Sequence, residues 1–123
     1  MQPDLRFPKQ ARLKSRKSIE ALFQSGKRVQ VDDWRAFYLF RSTSGIQLGV
    51  GAPSRYFKKA VDRNRIKRLI REAYRIDQQR WKESLQTKQP GMDLFILYTG
   101  KELPDFRSVQ KGLIKLIDKI FIR

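Results

Sequence analysis

The stretch from Asp62 to Ile76, DRNRIKRLIREAYRI, constrains the fold more than any other part of the chain. At about 100° per residue, with Arg63 at zero, Ile66, Leu69, Ile70, Ala73 and Ile76 fall in an arc from roughly 220° to 340°. Asn64, Lys67, Arg68, Arg71 and Arg75 fall in the opposite arc, from roughly 40° to 140°. Arg65 and Glu72 lie between the two, near about 200° and 180°. A helix with one apolar stripe must press that stripe against another layer. Its cations then stand outside as a rigid row with a repeat of about one turn. Ordinary exposed helix faces mix signs through i,i+4 pairs. Here Glu72 is the only acid beyond the Asp62 cap, and it lies off the basic arc. Such a row suits a polyanion, because each arginine offers a planar fork to phosphate oxygens. Asn64 can donate and accept together, toward a base edge, a 2′-hydroxyl or a water.

The charge of the whole chain points the same way. Its 123 residues carry 28 Lys plus Arg against 12 Asp plus Glu, a net charge of +16. Residues 1–28 are net +6, residues 29–53 are neutral, residues 54–75 are net +7 and residues 76–123 are net +3. Two basic blocks around a neutral segment of strand formers suggest one binding surface built from separate elements. The longest apolar run, Leu94 to Tyr98, is strand-length and far short of the roughly 20 residues of a membrane span. The N-terminus is polar and basic, without an apolar signal core, so the expected compartment is the cytoplasm. With no Cys and no His, the chain offers no disulfide, no thiolate, no usual zinc or iron ligand set, and no Ser-His or Cys-His catalysis.

Periodicity along the rest of the chain predicts a single α+β domain in the order αβββαβα, a sheet-and-helix sandwich spanning 1–123. Residues 1–14, with Pro3 and Pro8, read as a flexible basic arm. Ser15 or Ser18 caps a first helix with Ile19, Leu22 and Phe23 on one side, and Gly26 stops it. Val29–Val31 and Trp34–Phe40 are strands. Thr43-Ser44-Gly45 reads as a hairpin turn into a strand from Ile46 to Ala52, in which Gly49 and Gly51 imply a bulge or a close backbone approach. Residues 53–61 form a basic connection. The main helix runs from about Asp62 to Arg75, followed by a turn or short helix through Trp81. Pro90-Gly91 breaks the chain before a strand from Met92 to Tyr98. Pro104-Asp105 opens a last helix with Phe106, Val109, Leu113, Leu116, Ile117 and Ile120 on its core side.

The run from Lys59 to Glu72, KAVDRNRIKRLIRE, resembles the RNR signature of the bacterial ribonuclease P protein subunit. The upstream Arg-Leu…Phe…Gly pattern of that family is present as Arg12-Leu13, Phe23 and Gly26, and its Gly-containing strand as Gly49-Val50-Gly51. The resemblance covers nearly the whole chain. It implies a fold similar to ribosomal protein S5 domain 2, with a left-handed βαβ crossover that holds the RNR segment. It implies a subunit of an endoribonuclease that removes the 5′ leader of precursor tRNA, in which a catalytic RNA performs the bond chemistry. Magnesium would be held by that RNA and not tightly by the protein. The partners implied are the catalytic RNA and precursor tRNA, with the protein itself monomeric and no membrane involved. No catalytic residue and no metal ligand is expected of the protein. The RNA-binding positions are Arg63, Asn64, Arg65, Lys67, Arg68, Arg71 and Arg75, together with Arg12, Arg55, Lys58 and Lys59. A cleft for the single-stranded leader is expected between the first helix and the sheet, lined by Ile19, Phe23 and Phe37. Trp34 and Tyr38, out of phase with Phe37, are assigned to the core or to packing on the opposite face.

The sequence departs from the family pattern at two places. The position of Ile19 is usually aromatic, and a Lys pair after the third strand is here Ser54 and Arg55, preceded by Pro53. Two other readings of the same residues exist. A ribosomal-type general RNA-binding module shares the charge, but the Arg-Asn-Arg signature beside an aromatic cleft argues against it. A metal-dependent nuclease needs clustered carboxylates, and Asp32-Asp33, the only adjacent acidic pair, reads as turn chemistry.

Overall fold

The computed structural model describes Arg12, Leu13, residues 15–86 and residues 89–121. Seven elements follow in the expected order: α1 Arg16–Ser25, β1 Lys27–Val31, β2 Trp34–Arg41, β3 Gly45–Gly51, α2 Ala60–Gln86, β4 Gly91–Tyr98 and α3 Phe106–Ile120. The four strands form one sheet in the order β1-β2-β4-β3. β2 pairs antiparallel with both β1 and β4, while β3 and β4 are parallel. Parallel neighbours need a crossover, and α2 supplies it.

The sheet order corrects one expectation. Thr43-Ser44-Gly45 does turn the chain, with Gly45 at φ 98°, but β2 and β3 are not paired. β4 slots between them, and a Cβ on Gly91 would lie only 1.7 Å from the Thr43 carbonyl oxygen. The turn chemistry was local and correct; the partner of each strand is set by the crossover. The Asp32 turn between β1 and β2 is as expected: Asp32 sits at φ 51°, and Lys115 Nζ pairs with its carboxylate at 2.7 Å. Asp and Asn tolerate that left-handed conformation better than most residues.

The main helix is also longer than expected. α2 runs unbroken for 27 residues, because no Gly or Pro interrupts 60–86. Its buried side is rotated toward Tyr74, Gln78, Trp81 and Leu85, while Ile76 is left 41% exposed. The reason is that α2 packs against α3 as well as the sheet, so the buried arc is wider than one stripe and turned toward the second partner. α3 contributes Val109, Leu113, Leu116, Ile117 and Ile120 to that core, as its periodicity predicts.

Local signals account for the remaining ends. The Ser15 side chain accepts from the Ser18 N–H at 3.3 Å, capping α1, and Asp105 accepts from the Ser108 N–H at 2.8 Å, capping α3. Gly26 stops α1 as expected, in an extended conformation: its φ is −72°, and its N–H donates to Leu22 O at 3.0 Å. Glycine is needed there because a Cβ would lie 2.5 Å from that same oxygen.

The result is three layers. α2 and α3 cover one face of the sheet, where Trp34, Ala36, Tyr38, Met92, Leu94 and Ile96 are all buried. α1 lies on the other face. Of the expected basic arm, residues 1–11 and 14 fall outside the described residues. Its end is held: Arg12 forms a parallel bridge to Leu48, and the Leu13 N–H donates to Leu48 O at 2.8 Å.

Candidate nucleic-acid interface

The outer face of the sheet carries the residues that alternate with the core: Arg28 on β1, Arg35, Phe37 and Leu39 on β2, Phe95 and Leu97 on β4. Arg28, Phe37, Phe95 and Gly49 lie in one cross-strand row. Phe23 of α1 meets that row edge-on, 4.9 Å from the Phe37 ring and 5.2 Å from the Phe95 ring. Phe23 nonetheless remains 49% exposed. Edge-to-face contacts of this kind fix the rings and leave faces open to a further flat group. Ile19, one turn before Phe23 and half-buried, borders the same cleft from α1. Ile19, Phe23 and Phe37 were expected here; Phe95 was missed. Strand alternation could have found it, since it is out of phase with the buried Leu94 and Ile96.

The two glycines of β3 explain how Phe95 fits. A Cβ on Gly49 would lie 2.7 Å from the Phe95 ring, and one on Gly51 would lie 3.0 Å from it. The expected close approach is therefore to a ring, and bare backbone forms the cleft wall on the β3 side.

The second surface lies across the β3 edge. Arg12, Arg68, Arg71, Glu72 and Arg75 line an open cleft of about 320 Å³. Glu72 is bonded to Arg75, which draws its carboxyl below the usual carboxylate range. Arg71 is half-buried, and burial together with the charge of Arg12 pushes its guanidinium pKa down. A guanidinium penalised by burial and by a neighbouring cation is stabilised by a nearby anion. Leu13, next to Arg12, is buried and approaches Gly49 on the aromatic side. The Arg12-Leu13 pair thus straddles the edge, one residue serving each surface.

The other expected positions separate. Asn64, Arg65 and Arg68 are exposed on α2, and Lys67 is half-buried. Arg55, Lys58 and Lys59 are exposed on the connection into α2. Arg63 turns inward, its Nη1 donating to Phe57 O at 2.7 Å and to Lys58 O at 2.8 Å. A separate cleft of about 600 Å³ between Trp34, Tyr98 and the loop after β4 is lined by Asp33, Lys101, Glu102 and Asp105. Three acids against one lysine make it a poor site for a polyanion. Among the described residues, no three His, Cys, Asp or Glu side chains gather in a way that fits a metal ion. Likewise no described helix is long and apolar enough to cross a membrane.

A four-stranded sheet with one βαβ crossover, a cationic helix along it and a half-covered aromatic face is the architecture of a known group of α+β proteins. The ribonuclease P protein from Thermotoga maritima superposes with a TM-score of 0.70 at 24% identity, over 88% of this chain and 96% of that one. The Staphylococcus aureus RNase P protein superposes with a TM-score of 0.69 at 19% identity, over 89% and 94%. These likenesses concern the fold. In sequence, the family described as Ribonuclease P matches residues 7–120. The ribonuclease P protein component of Porphyromonas gingivalis is 33% identical over 121 residues, 96% of this chain and 88% of that protein. That of Desulfovibrio desulfuricans is 31% identical over 115 residues, 93% and 85%. The chain belongs to the ribonuclease P protein family, whose members are named as the protein component of an RNA-processing enzyme.

Proposed function

We propose that this protein is the subunit that helps a catalytic RNA remove the 5′ leader from precursor tRNA. A single copy binds the catalytic RNA through Arg12, Arg68, Arg71 and Arg75, with Asn64, Arg65 and Lys67 extending the row. It binds the single-stranded leader in the cleft of Ile19, Phe23, Phe37 and Phe95. The observation that carries the reading is that both surfaces share the β3 edge, where Arg12-Leu13 joins them. A leader has no fixed sequence, and stacking on aromatic rings tolerates any base. Four arginines against one glutamate give that cleft a net positive charge, which attracts the phosphates of a folded RNA. The protein works in the cytoplasm, where tRNA is processed.

The bond chemistry belongs to the RNA. The donor sets among the described residues do not fit a protein-held magnesium: Asp32 is paired with Lys115, and Asp93 lies 3.3 Å from an Arg41 nitrogen. Magnesium, held by the RNA, supplies an activated water. The protein's part is to bring leader and RNA together and to lower the repulsion between two polyanions.

The test is cleavage of a precursor tRNA at low magnesium by the protein alone, a bacterial catalytic RNA alone, and both together. Activity in the mixture alone, with the correct mature 5′ end, is the expected result. Activity from the protein alone would mean a nuclease. Tight RNA binding without enhancement would mean a general RNA-binding module.

A further inference from the structure

The outward side of α3 carries a row of charge that neither the arginine cleft nor the aromatic cleft uses. The exposed residues of this helix are Arg107, Ser108, Lys111, Lys115, Asp118 and Lys119. Its four cations follow one another at i,i+4, so they stand about one turn apart along about 18 Å of helix. A fifth stands at the far end. Lys27 of β1 lies 6.0 Å from the Phe40 ring centroid, and that ring lies 6.3 Å from Phe121, which closes α3. The acids nearby have other engagements. Asp105 caps the helix through the Ser108 N–H, and Asp118 lines the cleft toward α2. Asp32 pairs with Lys115, but both side chains are more than half exposed, and such a pair opens readily to a competing anion.

The row works against the helix that carries it. Like charges at i,i+4 repel, and Arg107 in the first turn opposes the helix dipole. Only Lys119, in the last turn, is favoured by that dipole. Nor does folding need these cations, since Val109, Leu113, Leu116 and Ile117 already seat α3 on the core. A rigid, self-repelling row of this kind fits a polyanion. Its place sets it apart from both clefts. α2 packs on β3 and β4, whereas α3 packs on β1 and β2. The row therefore lies toward the β1 edge, three strand spacings or about 14 Å from the β3 edge that holds the arginine cleft. The aromatic cleft opens on the opposite face of the sheet. The row offers no exposed ring on which an unpaired base could stack. Evenly spaced charges on a straight helix match the regular backbone of a helical RNA, which proteins hold mainly by shape and phosphate contacts.

We propose that Arg107, Lys111, Lys115 and Lys119 form a third surface, which holds the phosphate backbone of a helical RNA segment other than the one in the arginine cleft. The protein then bridges two RNA elements from opposite edges of its sheet. The proposal rests on the RNA-binding reading above.

The experiment measures binding of the full chain to a blunt RNA duplex of arbitrary sequence, about 16 base pairs long, across a salt series. The triple variant Arg107→Gln, Lys111→Gln, Lys119→Gln leaves the Lys115–Asp32 pair intact. It should weaken duplex binding at least about 10-fold at low salt and lower the slope of log K against log salt by about two to three. Its unfolding midpoint should not fall, because neutralising like charges relieves repulsion. A control that removes three scattered cations, Lys17→Gln, Arg80→Gln, Lys82→Gln, should lower the slope by less than one. Equal losses in the two triples, or a lower midpoint in the first, would overturn the proposal. The protein saturated with catalytic RNA is then offered the labelled duplex. Capture that the α3 triple abolishes assigns the row to a second RNA. No capture, together with assembly on the catalytic RNA that the α3 triple weakens, assigns it to another segment of that RNA. Neither effect would overturn the proposal. The preference of the reconstituted enzyme for precursor over mature tRNA should be the same in the wild type and the α3 triple. Its absence from the wild type would overturn the leader-binding reading and leave this surface standing.

Discussion

The two faces of the sheet carry nearly the same chemistry and have opposite fates. On the helix-covered face, Trp34, Tyr38, Leu94 and Ile96 are at most 7% exposed. On the other face, Phe37, Leu39, Phe95 and Leu97 are only partly covered, and the ring that closes over them, Phe23, is half in solvent. Apolar area left open beside a neutral backbone strand and a row of arginines is not needed for folding, since the first face already supplies a core. A protein keeps such a patch for a partner. The comparison teaches that covering, and not composition, separates the residues that hold this fold from those that serve its function.

The strongest way to break that comparison is to delete matched apolar groups. Leu94→Ala, in the closed face, should cost about 2–5 kcal/mol of stability by urea unfolding. Phe37→Ala should cost less than half as much and should lower affinity for precursor tRNA. Equal stability losses would mean that both faces are simply core.

Two glycines sharpen it further, because each makes room for one ring. A Cβ on Gly112 would lie 2.2 Å from the Trp34 indole nitrogen, and one on Gly49 would lie 2.7 Å from Phe95. Gly112→Ala overpacks a closed site and should cost about 1–3 kcal/mol. In Gly49→Ala the Phe95 ring can swing outward, so the unfolding midpoint should fall less while precursor binding falls more. The reverse order would place Phe95 among the structural rings.

Binding itself should divide by surface. Phe23→Ala should weaken precursor tRNA more than mature tRNA, by roughly 5-fold or more, without altering the salt dependence. Arg68→Ala should weaken both and lower the slope of log K against log salt by about one contact. A slope that does not move would remove Arg68 from the phosphate-binding row.

The smallest effect expected lies outside both surfaces. The capping hydrogen bond from Ser108 holds the Asp105 carboxyl below its ordinary pKa. A depressed carboxylate contributes stability above its unfolded pKa and loses it as pH falls through the folded one. Asp105→Asn keeps a cap that does not titrate, so it should flatten the acid side of the stability profile and leave neutral pH nearly unchanged.

Much of this was legible in the chain. Hydrophobic periodicity gives the seven elements and their order, and the basic arc of α2 is visible before any folding argument. Three things were not. Strand pairing is non-local, so Thr43-Ser44-Gly45 suggested a hairpin that the insertion of β4 prevents. The length of α2 was cut short because Asp77 and Gln78 interrupt its apolar spacing, although Gln78 is in fact buried against the core. The partners of Arg63 could not be read, although its place at the border of the basic arc set it apart, since a guanidinium bonded to backbone carbonyls leaves no pattern in residue types. Phe95 stood between these cases: its alternation was readable, but its partnership with Phe37 needed the strand order.

The measurement that bears most directly on the central claim is photo-crosslinking from a precursor tRNA whose leader carries thiouridine, bound to the reconstituted enzyme. Crosslinks in α1, β2 and β4, at or beside Phe23, Phe37 and Phe95, are the predicted result. Crosslinks confined to the cleft between α2 and α3 that Asp77, Glu83 and Asp118 line, or none from the leader while the body of the tRNA still crosslinks, would contradict the account.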